Sequence, residues 1–159
     1  MKLKVFFVTF LFKVKLFLMC SSFVDRLTMG QDKNVANLRQ LARECIRDGR
    51  QTEAFFHLSH AIKMDETNCD LLSDRSKCSV DSIQYHFALE DAEQIIKLRP
   101  DTWLGHVRLA EVYHATFNFD LAIPCYQRAF QCLDADKSHC KMMIDKCKKE
   151  LSLDKQADM

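Results

Sequence analysis

Cysteine is the reactive residue type that stands out in this sequence, since eight cysteines occur among 159 residues. In a short secreted chain such a number is typical of a disulfide framework, and CxxC pairs mark zinc or redox sites. No CxxC pair occurs here, and Cys125 and Cys132, like Cys140 and Cys147, are seven residues apart in helix-like stretches. A helix separates such residues by about 10 Å, whereas a disulfide needs Cα atoms within about 7 Å. We therefore predict reduced thiols, mostly packed in a core, in a reducing compartment.

Histidine offers one further candidate for chemistry, because His57 and His60 form a close pair. An i, i+3 pair on a helix can share a metal ion, but no third ligand is nearby in the sequence, so we expect surface histidines. GxxxxGK[ST], GxSxG and HExxH do not occur, and these motifs mark phosphate-binding loops, nucleophile elbows and zinc sites. The sequence therefore predicts a protein that is not an enzyme and needs no metal or cofactor.

The overall composition favours one helical domain that does not bind nucleic acid. The 23 basic and 22 acidic residues leave a net charge of +1, which gives no field to attract a nucleic acid. Hydrophobic residues make up 48% of the chain and charged residues 28%, as in ordinary globular proteins. Three glycines and two prolines are few for an all-β protein with tight turns. These totals predict an all-α fold.

An internal repeat organises the elements that carry these residues. Two sets of mostly small residues recur at one constant step, the second set seven residues after the first; they are Ala54, Ala88 and Ala122, and Ala61, Ile95 and Ala129. The step equals the 34-residue period of helix pairs that is typical of the tetratricopeptide repeat (TPR). The first helix of unit two, with Arg75, Ser76 and Ser79, fits the pattern least well.

The repeat predicts an all-α, right-handed superhelical stack of three TPR helix pairs followed by a C-terminal capping helix. We expect the three units over 35–134, at approximately 35–68, 69–102 and 103–136, and the capping helix and a polar tail over 137–159. The capping helix, Lys137 to Leu151, is expected to pack on the last unit through His139, Met142, Met143, Ile144 and Cys147. Pro124 is expected to kink the first turn of the second helix of unit three.

The N-terminal segment 1–24 is basic and apolar and is followed by a linker over 25–34. It resembles a signal or anchor sequence, although its longest uncharged run, Val5 to Phe12, is at the short edge of a signal's apolar region. As a membrane span it would place Lys13 and Lys15 near the bilayer centre, at a cost of roughly 2.5–3.5 kcal/mol each. The alternative is that Met29 is the start and that the segment is an upstream extension.

Three stretches of the repeat region resemble the co-chaperone group of TPR proteins, which includes the Hsp-organising protein; they are 71–76 (LLSDRS), 88–92 (ALEDA) and 98–105 (LRPDTWLG). Members of this group bind the C-terminus of a heat-shock chaperone through a carboxylate clamp of lysines, asparagines and an arginine on the first helices. The resemblance places the clamp's lysines at Arg39 and Leu104, its asparagines at Arg43 and Asp74, and its arginine at Arg108. Asp74 would repel a carboxylate and Leu104 removes a cation, so the resemblance implies a degraded clamp.

The first helices are therefore expected to form a peptide-binding groove lined by Arg39, Arg43, Arg47, Asp74, Lys77 and Arg108. Such a lining suits an acidic segment of a partner protein, because guanidinium groups bind carboxylates. The predicted function is that of a cytoplasmic interaction adaptor, with a co-chaperone role as one form of it. The alternatives are a TPR segment of a larger enzyme or ligase, and an adaptor anchored to a membrane or directed to the endoplasmic reticulum through 1–24.

Overall fold

A computed structural model describes the backbone of residues 34–157 and the side chains of residues 34–153. The predictions for 1–24, for Met29 as a start and for the thiol of Cys20 lie outside the described residues. Contacts divide the chain into Met1–Asn37 and Leu38–Met159, and the helix stack from Leu38 onward forms the second unit.

Helices make up the described range, which contains no strand. Helix α1 covers 34–47. The next six are α2 (Gln51–Met64), α3 (Cys69–Asp81), α4 (Tyr85–Leu98), α5 (Trp103–Ala115), α6 (Phe119–Gln131) and α7 (Lys137–Ala157). Consecutive helices from α2 to α7 pack on one another, and α3 also contacts α5. This arrangement is the predicted all-α stack of helix pairs.

The repeated small residues form the centre of the stack. Ala54, Ala88 and Ala122 on the second helices are completely buried, and the residues seven positions later in each unit are buried as completely. A small side chain at these positions lets neighbouring helices approach closely, and larger side chains then fill the space between pairs. The repeat of the sequence is therefore a repeat of core positions.

Each of the first three odd-numbered helices ends in the same left-handed turn. Gly49, Ile83 and Phe117 stand at equivalent positions with φ of 75°, 61° and 61°. The N–H of the next residue donates to a carbonyl five residues back at 2.8 Å in all three turns. These bonds are those of a Schellman motif, which satisfies the last carbonyls of a helix. The repeat thus extends to the backbone conformation of the turns.

Gly105 allows α5 to lie close to α4. A Cβ at this position would meet Ile96 Cγ1 at 2.7 Å and the Ile96 backbone nitrogen at 3.0 Å. Those distances are too short for any side chain without a shift of the helix. Glycine is therefore required here for packing, although it lowers the intrinsic stability of a helix.

Helix α7 caps the last pair and runs further than predicted, to Ala157. Cys140 and Cys147 on its inner face are fully buried, and Met143, Ile144 and Leu151 pack against the same core. The expectation for Met142 was wrong, because its side chain is 58% exposed. Met142 lies two residues, about 200°, around the helix from Cys140 and so faces away from α6.

Pro124 lies inside α6, and the helix continues past it to Gln131. Proline has no N–H, so the carbonyl of Asp120 receives no i+4 hydrogen bond. Asp120 and Pro124 are both exposed residues.

Candidate functional site

The six residues predicted for the groove lie on the first helices of the three pairs. Arg39, Arg43 and Arg47 are on α1, Asp74 and Lys77 are on α3, and Arg108 is on α5. Side-chain hydrogen bonds link α1 to α3 and α3 to α5. The face formed by these three helices, with the six residues named here, is called the groove below.

Two of the predicted ligand-binding charges in the groove bind each other. Arg39 Nε donates to Asp74 Oδ2 at 2.7 Å, and Arg39 Nη1 lies 3.5 Å from Asp70 Oδ2. The side chains of Arg39 and Asp74 are 26% and 28% exposed. Burial lowers the pKa of Arg39, but hydrogen bonds and charge from Asp74 and Asp70 outweigh it, so the pKa is raised. Arg39 and Asp74 thus form a polar contact between neighbouring odd-numbered helices, and such a contact is called a rung below. In this rung the two charges neutralise each other.

Arg108 is also engaged inside the protein. Its Nε donates to Ser73 Oγ at 2.8 Å, and its Nη1 donates to Glu111 Oε2 at 2.5 Å. The Arg108 and Glu111 side chains are 17% and 26% exposed. Arg108 thus joins α5 to α3 and has a carboxylate partner of its own, which leaves it little capacity to bind another.

Arg43 and Lys77 are the groove cations that remain available. Both are exposed, and neither has an ion-pair partner among the residues that the structure describes. They occupy equivalent positions of α1 and α3, since exactly one repeat separates them in the sequence. Arg47 is more weakly held than Arg39, with its side chain 70% exposed and Glu44 Oε1 at 4.0 Å. The groove therefore presents positive charge on α1 and α3 and not on α5, where Leu104 is uncharged.

A further rung that sequence reasoning missed joins α5 to the capping helix. His114 Nε2 and Glu150 Oε2 are 2.9 Å apart. The three rungs of Arg39 with Asp74, Ser73 with Arg108, and His114 with Glu150 join residues 35, 35 and 36 positions apart. Polar pairs separated by one repeat plus one or two residues are the signal that could have found them.

The thiols of the described residues are poorly suited to nucleophilic chemistry. Seven free cysteines occur there, of which Cys125 and Cys132 are partly exposed and the other five buried. Burial raises the pKa of Cys78, Cys125 and Cys147, and a reactive cysteine needs the opposite shift. The prediction of mostly packed thiols is confirmed for the described residues, since five of these seven are buried.

Among the described residues, no group of three or more His, Cys, Asp or Glu side chains could hold a metal ion. His60 is exposed and His57 partly so. None of the helices that the structure describes has both the length and the apolar character needed to cross a membrane.

Comparison with solved structures decides the fold. No protein-family model matches the chain. The Sgt2 TPR domain from Aspergillus fumigatus superposes with a TM-score of 0.66 at 18% identity, over 77% of this chain and 82% of that one. The chain has the TPR fold. The first TPR of Spaghetti (RPAP3), solved with the HSP90 peptide SRMEEVD, is similar with a TM-score of 0.66 at 16% identity, over 76% of this chain and 94% of that one.

Two curated proteins share sequence with this TPR domain. U-box domain-containing protein 70 of Oryza sativa subsp. japonica is 27% identical over 94 residues, which are 59% of this chain and 12% of that protein. The heat shock protein sti1 homolog of Schizosaccharomyces pombe is 32% identical over 78 residues, 49% of this chain and 13% of that protein. This chain therefore matches about an eighth of the length of each relative.

Proposed function

We propose that this TPR protein is an adaptor that binds an acidic segment of a partner protein in the groove. The observation that carries the proposal is the pair of exposed cations, Arg43 and Lys77, at equivalent positions of α1 and α3. Partner carboxylates would gain charge-assisted hydrogen bonds there without displacing an internal partner. The other strong cations of the groove, Arg39 and Arg108, already hold carboxylates.

A chaperone-related partner fits this proposal. The Spaghetti domain binds the HSP90 peptide SRMEEVD, whose sequence contains three acidic residues, and the sti1 homolog is a heat shock protein by name. A cytoplasmic location belongs to the same proposal, because free cysteines suit a reducing compartment. N-terminal peptide mapping of the natural protein tests the location, since cleavage within or after 1–24 would contradict it.

The test of groove binding uses the full chain and a fluorescent twelve-residue peptide that carries six glutamates. We expect Arg43→Gln combined with Lys77→Gln to weaken binding about tenfold, since each exposed ion pair contributes up to about 1 kcal/mol. Added salt should weaken binding by the wild type more than by the variant.

The matched control is Lys63→Gln combined with Lys97→Gln. These lysines are exposed and are also separated by one repeat, but they lie in the last turns of α2 and α4. The control should bind the peptide as the wild type does. If both double variants lose affinity equally, the peptide responds to net charge alone and the groove is not its site.

A second candidate function is that of the TPR segment of a multidomain ligase. The similarity to U-box domain-containing protein 70, over 59% of this chain, favours it. Sequencing the natural transcript beyond the codon of Met159 tests this candidate. A reading frame that continues into a U-box or another catalytic domain would support it, and a stop codon at that point would contradict it.

A further inference from the structure

The two available cations of the groove form a row along equivalent repeat positions. Arg43, Lys77 and Glu111 follow one another at steps of one repeat on α1, α3 and α5. The first two are exposed, whereas Glu111 is bound to Arg108 at 2.5 Å. The row therefore consists of two unpaired positive side chains, followed by Glu111, whose negative charge is already paired with Arg108.

The spacing of the row follows from helix packing. Axes of packed helices lie about 8–10 Å apart, and the hydrogen bonds between α1 and α3 and between α3 and α5 show that these helices are neighbours. An extended polyproline II segment rises about 3.1 Å per residue with three residues per turn. Side chains three residues apart in it share one side and are separated by about 9 Å, which is close to the axis spacing of packed helices.

The neighbouring rung excludes other placements of the carboxylates. Asp74 lies about one helical turn before Lys77 and Asp70 about two turns before it. The Asp70 side chain is 64% exposed. A ligand carboxylate near them meets negative charge, because the single positive charge of Arg39 already faces the two carboxylates of Asp70 and Asp74. The acidic groups of the ligand must therefore lie at the level of Arg43 and Lys77.

We propose that the groove recognises an internal, extended segment in which two acidic side chains are three residues apart, one bound to Arg43 and the other to Lys77. This inference rests on the proposed function and specifies its ligand. A free C-terminal carboxylate is not required, because both contacts are to side chains. A third acidic residue three positions further gains nothing, because Glu111 stands at that level.

The experiment compares acetylated and amidated twelve-residue peptides of identical composition in a proline- and alanine-rich background. Each contains two aspartates, at positions i and i+2, i and i+3, or i and i+4. Binding to the full chain is measured by calorimetry. The separation of three should bind about threefold more tightly than the others, which is roughly the loss of one exposed ion pair. Lys77→Gln should abolish this preference.

Two further peptides make the register falsifiable. A third aspartate three residues beyond the second should leave the affinity for the wild type unchanged and raise it for Glu111→Gln. A peptide with aspartates at i and i+7 in a helix-forming alanine background should bind no better than the extended peptide with aspartates at i and i+2. Tighter binding of that helical peptide would overturn the extended register.

The outcomes separate this inference from the proposed function. If affinity depends on Arg43 and Lys77 but not on the separation of the aspartates, the ligand register is wrong and the acidic groove stands. If affinity does not depend on either cation, both proposals fail. If the same peptide binds only when its C-terminus is a free carboxylate, the ligand is a chain end and the inference is overturned.

Discussion

Arg39 Nε donates to Asp74 Oδ2 at 2.7 Å across the gap between the first helices of units one and two. Taken separately, the two residues are a cation that attracts an acidic peptide and an anion that repels it. As a pair they cancel, so the proposed function places acidic ligands one helical turn along, at Arg43 and Lys77. The pairing explains why the free charge of the groove lies there and not at Arg39.

Removal of the Asp74 charge should return Arg39 to ligand binding. Asp74→Asn takes away the nearer of the two charges that Arg39 faces and leaves only the Asp70 carboxylate, at 3.5 Å. We expect the affinity of the six-glutamate peptide to rise about threefold. The free energy of unfolding should change by less than about 1 kcal/mol, because the pair is partly exposed. Fluorescence titration and urea unfolding measure the two effects.

Asp81→Asn is the control for this gain, because Asp81 is an exposed carboxylate on the same helix, α3. It removes the same charge without releasing Arg39. If it raised the affinity as much as Asp74→Asn does, long-range charge and not the release of Arg39 would be the cause.

The sequence predicted the helix pairs because they depend on a period, and a period survives substitution at single positions. Ala54, Ala88 and Ala122 were enough to predict the packing of the second helices. The pairing of Arg39 with Asp74 does not follow from the period alone. Its separation of 35 residues makes it a candidate, but whether the pair forms depends on the rotamers of two long side chains. Which groove charges are free is thus a property of the structure and not of the pattern.

The turns at Ile83 and Phe117 should gain stability from glycine. Both residues have a φ of 61°, which is costly for a β-branched or bulky residue. The two residues are 74% and 78% exposed, so the packing lost is limited to the edge contact of the Phe117 ring with Phe119. We expect Ile83→Gly and Phe117→Gly each to raise the free energy of unfolding by roughly 0.5–1 kcal/mol in urea titrations.

Gly49 supplies the reverse substitution for the same turn. A Cβ there would have no atom within 4 Å, so Gly49→Ala tests the backbone conformation alone. It should lower the free energy of unfolding by about 1 kcal/mol. An unchanged value would show that the left-handed turns carry no strain.

The poor fit of unit two to the repeat has a physical cause in a buried ion pair. Arg75 Nε and Nη2 donate to the two carboxylate oxygens of Asp91 at 2.9 and 2.6 Å. Asp91 is 2% exposed, and burial raises its pKa against the opposing effect of Arg75. In unit three the equivalent residues are Leu109 and Cys125. The two departures from the pattern therefore compensate each other, which the sequence alone could have suggested from their joint occurrence.

Breaking this pair should be costly, and replacing it as a whole should not be. Asp91→Ala leaves Arg75 partly buried without its carboxylate, and we expect a loss of about 3–5 kcal/mol in the free energy of unfolding. Arg75→Leu combined with Asp91→Cys installs the residues of unit three and should recover most of that loss. Urea unfolding of the wild type, Arg75→Leu, Asp91→Cys and the double variant forms the cycle, and additive losses would contradict the compensation.

The aromatic ring of Tyr126 should stabilise the core, whereas its hydroxyl should not. Its side chain is fully buried, and its hydroxyl has no hydrogen-bond partner among the described residues. Replacement by phenylalanine removes an unsatisfied group and keeps the ring, so Tyr126→Phe should leave the stability at pH 7 unchanged or raise it by up to about 1 kcal/mol. A decrease of more than about 1 kcal/mol in the free energy of unfolding would mean that the hydroxyl is hydrogen-bonded.

The same residue should make the protein sensitive to alkali. Burial raises the pKa of Tyr126, with the charge of Glu111 as a secondary cause. Because the folded pKa lies above the unfolded value of about 10, the neutral phenol's contribution is complete below that pH and is lost as the pH rises above it. Circular dichroism from pH 9 to 11 should therefore show Tyr126→Phe unfolding at a higher pH than the wild type. Tyr85→Phe, at a partly exposed site, is the matched control, and an equal shift in both variants would assign the alkaline transition to other groups.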